Sequence, residues 1–443
     1  MLGVLAASFP PRLRAPGESR IAAAMARFLW RQFVWLVAAA AAGGGALWFI
    51  YAERWSLLLA ARLQAESPAL QALLLGVGMV VIMRLRDRLF PGTEGTGIPQ
   101  AIVALKLGPG ARDRVLSLRI LIGKLILLTL GLFIGATVGR EGPSVHVAAC
   151  ALYLANRLAS FAPNLVERGL ILSGGAAGIA AAFNAPIAGL VFAVEEIGRS
   201  FEKANASLMV RTVLVACLVC IAATGNVLFY GHVEAGMPNP RAWLWLPVIG
   251  LAGGLLGGAF ARAVIEVTPR VARLNRRRPY AVAGSLGLAM AVLGLISGGS
   301  TYGAGDAEVM ATLLRNQDLP LAYPFLKAAA NFLALISAIP GGLFTPSLSV
   351  GAGLGDQLAP FATDLPRQAV ILLAMGAYFC GVVQSPMTVA IIIVEMTDAR
   401  GLLLPLLLTT TIAFHASRAL CPVSIYEALA DGWLRRESPH RNG

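Results

Sequence analysis

The run from residue 169 to 194 constrains this chain more than any other feature. It is 26 residues long and carries no charge, which is long enough to cross a bilayer. Yet it holds Gly174, Gly175, Gly178, Asn184 and Pro186 in its interior. A straight helix there would lose backbone hydrogen bonds in lipid, where no water replaces them. Broken helices of this kind survive only when buried in protein or lining a polar cavity. Other uncharged runs occupy 32–52, 67–83, 125–139, 242–261, 279–305, 368–394 and 401–417. The expected fold is an all-α polytopic membrane protein, with more helical pieces than full crossings.

Charge placement agrees. Charged residues are 13% of the chain and hydrophobic ones 57%, and soluble domains carry roughly 25% charged residues. The net charge of +13 would suggest a nucleic-acid partner in a soluble protein, but the cations fall in short clusters between apolar runs. Arg84, Arg86 and Arg88 form one cluster, Arg112, Arg114 and Arg119 another, and Arg270, Arg273, Arg276, Arg277 and Arg278 a third. These read as positive-inside loops of a multi-pass protein of the cell (inner) membrane, with lipid as a partner and no nucleic acid. Basic residues at the start (Arg12, Arg14, Arg20, Arg27, Arg31) and at the end (Arg435, Arg436, Arg441) favour cytoplasmic termini. The 300–318 connector, with Asp306, Glu308 and Asp318 against Arg315, is the candidate for outside. Residues 1–30 are expected to form a cytoplasmic leader, disordered in whole or part, with Met25 an alternative start; no removable signal peptide is evident.

The five cysteines (Cys150, Cys217, Cys220, Cys380, Cys421) form no CxxC pair or disulfide framework. His146, His232, His415 and His440 are scattered, without HExxH or an acid cluster. Neither a metal nor a cofactor is expected, and a membrane-embedded hydrolase or metalloprotease is the rival class this disfavours. His146 reads as a packed residue.

The chain also repeats itself. At an offset of 200, Asn184-Ala-Pro-Ile-Ala-Gly-Leu-Val-Phe-Ala-Val-Glu195 faces Gln384-Ser-Pro-Met-Thr-Val-Ala-Ile-Ile-Ile-Val-Glu395, and at 203, Gly139-Arg-Glu-Gly-Pro-Ser-Val145 faces Gly342-Leu-Phe-Thr-Pro-Ser-Leu348. Paired halves with Gly/Pro-interrupted segments in matching places point to a transporter whose site lies at the repeat interface. Three segments share one grammar: Gly95-Thr96-Gly97-Ile98-Pro99, Gly139-Arg140-Glu141-Gly142-Pro143 and Gly342-Leu343-Phe344-Thr345-Pro346. Proline suits a first helical turn, where its missing N–H is not needed. Each segment therefore aims free N–H groups and a positive helix end at one spot. Several such ends converging in a membrane would hold an anion without a full cationic charge.

These segments, in this order, resemble the CLC family of chloride channels and proton/chloride antiporters. The similarity includes the stretch from Gly174 to Glu196 and the closing Ser424-Ile-Tyr-Glu427, and it covers roughly residues 30–434. The chain ends at Gly443, like the short prokaryotic form that lacks appended nucleotide-sensing domains. The resemblance implies a homodimer in which each subunit is an inverted repeat of short, tilted, interrupted helices with its own anion pathway. The boundaries expected are 31–434 for the membrane domain, about 31–235 and about 240–417 for the repeats, about 422–434 for a final pore helix, and 435–443 for a cytoplasmic tail.

On the motif positions the resemblance implies that Thr96 and Tyr426 offer hydroxyls to a central anion. Backbone N–H groups of Gly97, Ile98, Leu343 and Phe344 would join them, and those of Arg140 and Gly142 in the GREGP turn would line an outer site. Tyr426 is alternatively an interfacial aromatic. Glu141 matches the gating glutamate, although an acid at a helix start also caps its own helix; its repeat counterpart is Phe344, so the fold does not need the acid. Glu195 and Glu395 occur in both halves, either as structural acids or paired with Arg199. Glu196 has no acidic counterpart and matches the inner proton-transfer glutamate. Lys124, alone in its apolar stretch, either snorkels or raises the potential for anions from a buried position. Thr96 stands where the family usually has serine, its nitrate branch has proline there, and its fluoride branch lacks the final tyrosine. The expected activity is chloride exchanged for protons, with a passive channel or a nitrate or fluoride carrier as alternatives.

Overall fold

The computed structural model describes residues 16–108, 110–159, 165–198 and 203–437. In the first half the helices are α1 (Pro16–Glu66), α2 (Pro68–Leu89), α3 (Ile98–Lys106), α4 (Leu118–Phe133), α5 (Glu141–Ala159), α6 (Leu165–Phe183), α7 (Pro186–Phe192) and α8 (Lys203–Thr224). The second half holds α9 (Trp245–Arg277), α10 (Pro279–Ile296), α11 (Asp306–Arg315), α12 (Tyr323–Ile336), α13 (Phe344–Leu358), α14 (Arg367–Val383), α15 (Pro386–Thr397) and α16 (Leu403–Leu420), followed by α17 (Ile425–Glu437). Prolines open α2, α7, α10, α12 and α15 in their first turn, where a missing N–H costs nothing. Among the described residues only seven helical stretches are long and apolar enough to cross a membrane. Shorter apolar helices are Tyr323–Ile336, Arg367–Val383 and Pro386–Thr397.

The run 169–194 breaks at one place only. Asn184 takes a left-handed φ of 53° between α6 and α7, and Gln384 does the same at 61° between α14 and α15. The next residues, Ala185 and Ser385, adopt (φ, ψ) of (−128°, 78°) and (−127°, 79°), so the two breaks are copies. The glycines earlier in the run do not interrupt α6, contrary to the sequence expectation. A methyl group on Gly174 would meet the Ala148 carbonyl oxygen at 2.6 Å, and one on Gly178 the Cα of Val145 at 2.6 Å. These glycines let the backbones of α5 and α6 touch, the usual role of small residues four apart in membrane helices.

The repeat is inverted, and it reaches further than sequence alignment had found. Gly95 and Gly97, ahead of α3, have φ of 65° and 100°; Gly303 and Gly305, ahead of α11, have 62° and 98°. Buried Lys124 on α4 donates to the Gly95 carbonyl at 2.6 Å, and buried Lys327 on α12 to the Gly303 carbonyl at 3.0 Å. Each lysine holds the loop that opens its half's short third helix. Packed against each other, α7 and α15 exchange caps: Glu395 accepts from the N–H groups of Ile187 (3.1 Å) and Ala188 (2.6 Å), while Glu195 accepts from those of Met387 (3.2 Å) and Thr388 (2.7 Å).

One end of the molecule gathers the arginines. Arg119 donates to the Leu89 carbonyl at 2.6 Å, and Arg84 lies over the Tyr280 ring at 5.6 Å, which brings the 84–89, 119 and 277–280 segments together. By the positive-inside rule this is the cytoplasmic end. The segments 225–233, 306–318 and 398–400 meet at the other end through Tyr230–Asp306, His232–Asp398 and Arg400–Asp398 contacts.

Two boundaries differ from expectation. α1 begins at Pro16, so residues 16–30 of the supposed leader are helical; no glycine or proline falls between residues 18 and 42, and this alanine-rich stretch has high helix propensity. Residues 1–15 lie outside the described residues. The final helix spans Ile425–Glu437, three residues into the supposed tail, of which 438–443 are outside the described residues.

Candidate functional site

Three loops meet at the centre of the bundle. Gly139 and Gly342 form an antiparallel bridge, with N–H to carbonyl distances of 2.9 and 2.6 Å. These two residues correspond at the repeat offset, so the bridge marks the pseudo-twofold axis. Gly95 joins through its N–H to the Ala338 carbonyl (3.2 Å) and accepts from the Gly341 N–H (3.4 Å). A methyl on Gly97 would meet the His146 Cβ at 2.6 Å, and one on Gly142 the Thr96 carbonyl oxygen at 2.6 Å. Glycine is required at Gly97 twice over, since its φ of 100° is also one that side chains avoid. His146 is buried, its Nε2 2.7 Å from the Val115 carbonyl, and acts as packing.

The helices α3, α5 and α13 therefore begin within one small region. First-turn N–H groups have no acceptor within their own helix, and three positive ends face the same space. Glu141, the first residue of α5, is fully buried there. Its carboxyl lies against its own backbone N–H and accepts the hydroxyl of Thr345, in the first turn of α13. The other carboxyl oxygen, Oε2, has no protein partner, and it sits where side chains on Gly139 or Gly342 would stand. The Glu141 carboxyl thus lies at the junction of the α5 and α13 N-termini.

The neighbouring walls are apolar and hydroxyl-bearing. Phe344 is buried and packs on Phe379 (4.6 Å between centroids), Phe192 (5.8 Å) and Tyr426 (6.1 Å). Leu343, fully buried, caps α13; Ile98, fully buried, opens α3. The hydroxyls of Thr96 and Tyr426 are buried without a protein partner. An unpaired buried hydroxyl is costly, which makes each of these two a candidate donor to a ligand. Tyr426 feels the charges of both Glu196 and Glu141, and at 0% exposure it is not an interfacial aromatic.

Glu196 sits in a π-turn, Ala193–Gly198, which continues α7. The wider turn, a recurrent feature of functional sites, sends the two adjacent acids different ways. Glu195 caps α15, whereas Glu196, buried, accepts from Ser385 (2.5 Å) and Ser424 (3.1 Å). Ser424 lies two residues before Tyr426, so Glu196 is tied to the tyrosine segment. The alternative pairing with Arg199 falls outside the described residues. The Arg140 side chain points away from the junction, pairing with Glu53 and lying over the Phe229 ring at 5.0 Å, so only its backbone remains for an anion. Lys124, fully buried, does not snorkel.

Sequence reasoning missed Thr345, Ser385 and Ser424 as partners of the two glutamates. Ser385 was open to detection, since it stands against Ala185 in the aligned repeat and is a polar departure from symmetry.

A family profile described as voltage gated chloride channel matches residues 75–418. The H(+)/Cl(-) exchange transporter ClcA of Vibrio parahaemolyticus is 27% identical over 383 residues, covering 83% of this chain and 80% of the relative. That of Vibrio campbellii is 27% identical over 380 residues, with 80% and 77% covered. Among solved structures, a slow cyanobacterial Cl-/H+ antiporter superposes with a TM-score of 0.79 at 24% identity, covering 93% of this chain and 98% of that one. A CLC-type fluoride/proton antiporter gives 0.73 at 24% identity, with 94% and 99% covered.

Proposed function

Because the chain belongs to the voltage gated chloride channel family, we propose that it exchanges chloride for protons across a cell membrane, gated by Glu141. The observation that carries this reading is the buried Glu141 carboxyl at the shared N-termini of α5 and α13. Ionised, the side chain fills the anion's place. Protonated, it loses its attraction to the helix ends, and chloride can replace it among the N–H groups and the unpaired hydroxyls of Thr96 and Tyr426. Anion entry and proton uptake are then two descriptions of one displacement. The proton continues inward to Glu196, because a bare charge crossing the low-dielectric core needs titratable stations. Chloride needs neither acid as a ligand. In the homodimer that the family resemblance implies, each subunit would carry its own pathway, since the named residues suffice within one chain.

Purified protein in liposomes tests the exchange. An imposed chloride gradient should drive protons uphill in the wild type. Glu141→Gln, a permanent mimic of the protonated gate, should retain anion flux and lose proton flux. Glu196→Gln should stop protons while anions still pass. Proton movement that persists in Glu141→Gln removes the gate assignment, and a wild type whose zero-current potential ignores pH is a passive channel.

A further inference from the structure

The side chain of Arg140 leads away from the anion junction into a second group of ionisable residues. Its guanidinium pairs with Glu53 of α1 and donates to the Ala182 carbonyl at 3.2 Å, while its Nε is buried without a partner. Glu53 in turn faces Asp306, the first residue of α11, across one cavity. Asp306 also accepts from the Tyr230 hydroxyl at 3.3 Å. Both acids are only 6% exposed. They line a cavity of about 380 Å³, together with Arg140, Tyr230 and the 224–231 connector. That connector belongs to the end opposite the arginine clusters, so the cavity lies on the outer side.

Two buried carboxyls that face each other disfavour joint ionisation, and a proton held between them removes that repulsion. The surrounding charges do not relieve the pair of it. Arg140 faces both acids, and Lys327 faces Asp306 but is bound to three backbone carbonyls and also faces Glu308. Glu141 adds a third carboxyl within electrostatic range of both acids, and Tyr230 faces all three. Arg54, at the cavity rim, is exposed to solvent, and Cys220 in the wall donates its thiol to the Gly43 carbonyl. Arg140 links the two groups: its side chain binds the pair, and its backbone precedes the gate.

We propose that Glu53 and Asp306 form a shared-proton carboxyl pair that passes protons between the outer cavity and Glu141. The proposal rests on the antiport reading and adds an outer station to it. Glu53 and Asp306 receive a proton from cavity water, hold it between them, and release it to the Glu141 carboxylate when that group is ionised. The pair is then recharged from outside, and no chloride ligand is involved.

The test uses the full chain in liposomes of uniform orientation, with Asp306→Asn and Glu53→Gln. Coupled exchange should slow by on the order of 10-fold, with the ratio of chloride to protons unchanged. This is less than the roughly 100-fold of a positioned proton-transfer group, because water offers a slower route. Uncoupled anion flux in Glu141→Gln should not change when Asp306→Asn is added. A parallel loss in that background would make the pair an electrostatic or structural feature of the vestibule and overturn the proposal, as would an unaltered exchange rate. Infrared spectroscopy of Glu141→Gln supplies a readout independent of transport: a protonated-carboxyl C=O band should vanish on adding either substitution. If that band persists, no proton is shared. If the wild type moves no protons while the band behaves as expected, antiport fails and the shared proton stands without its delivery role.

Discussion

Two hydroxyls without partners carry the sharpest expectation at the scale of single residues. Thr96→Val and Tyr426→Phe keep shape and remove only the orphan oxygen. A hydrogen bond to a charged ligand contributes about 1.5–3 kcal/mol, so each substitution should weaken chloride binding roughly 10-fold or more. Calorimetric titration of chloride checks this. Thermal stability in chloride-free buffer should hold or rise, because a buried unsatisfied group has been deleted; a fall in stability with unaltered affinity would make the hydroxyls structural. Thr96, Glu141, Glu196 and Tyr426, which short local patterns single out in the sequence, are all buried in the structure. Their partners were not legible in the sequence: Thr345 is 204 residues from Glu141, and Ser385 is 189 from Glu196. Such pairings exist only once the halves are packed, as with Asp306 and Glu53, each of which reads as an ordinary acid beside an apolar run.

Helix ends, more than helix interiors, organise the next scale up. Glu195 and Glu395 are reciprocal caps, each supplying acceptors to the partner helix's first turn. Glu395→Ala strips α7 of both, at a cost near the about 1–2 kcal/mol of a lost N-cap. The expected result is a lower unfolding temperature in detergent with an unchanged chloride-to-proton ratio. A changed ratio at unaltered stability would put Glu395 in an ion route instead. The positions of the breaks were readable from Asn184 and Pro186 and from their copies, since a proline cannot continue a helix in lipid. The role of Gly174 and Gly178 was not, because one residue type serves both for turning a chain and for letting two helices touch. The start of α1 was missed for a related reason: arginines marked residues 12–31 as outside the membrane, and that says nothing against a helix.

Across the whole molecule, the named groups all lie on one chain, so each subunit of the proposed homodimer would hold a complete set. A tandem-linked dimer with Glu141→Gln in one half should therefore carry about half the wild-type proton flux, measured against equal protein in liposomes, following simple additivity of independent sites. Abolished flux would mean the subunits turn over together. The bridge between Gly139 and Gly342 also bears on symmetry. A residue on a twofold axis faces its own copy, so two identical half-length chains related by that axis would set the same side chain on both sides two residues beyond it. They would present two carboxylates there, or two rings. Glu141 opposite Phe344 is a difference that no such pair of equals can hold. Within one continuous chain the two sides are free to differ, a carboxyl on one and an aromatic ring on the other.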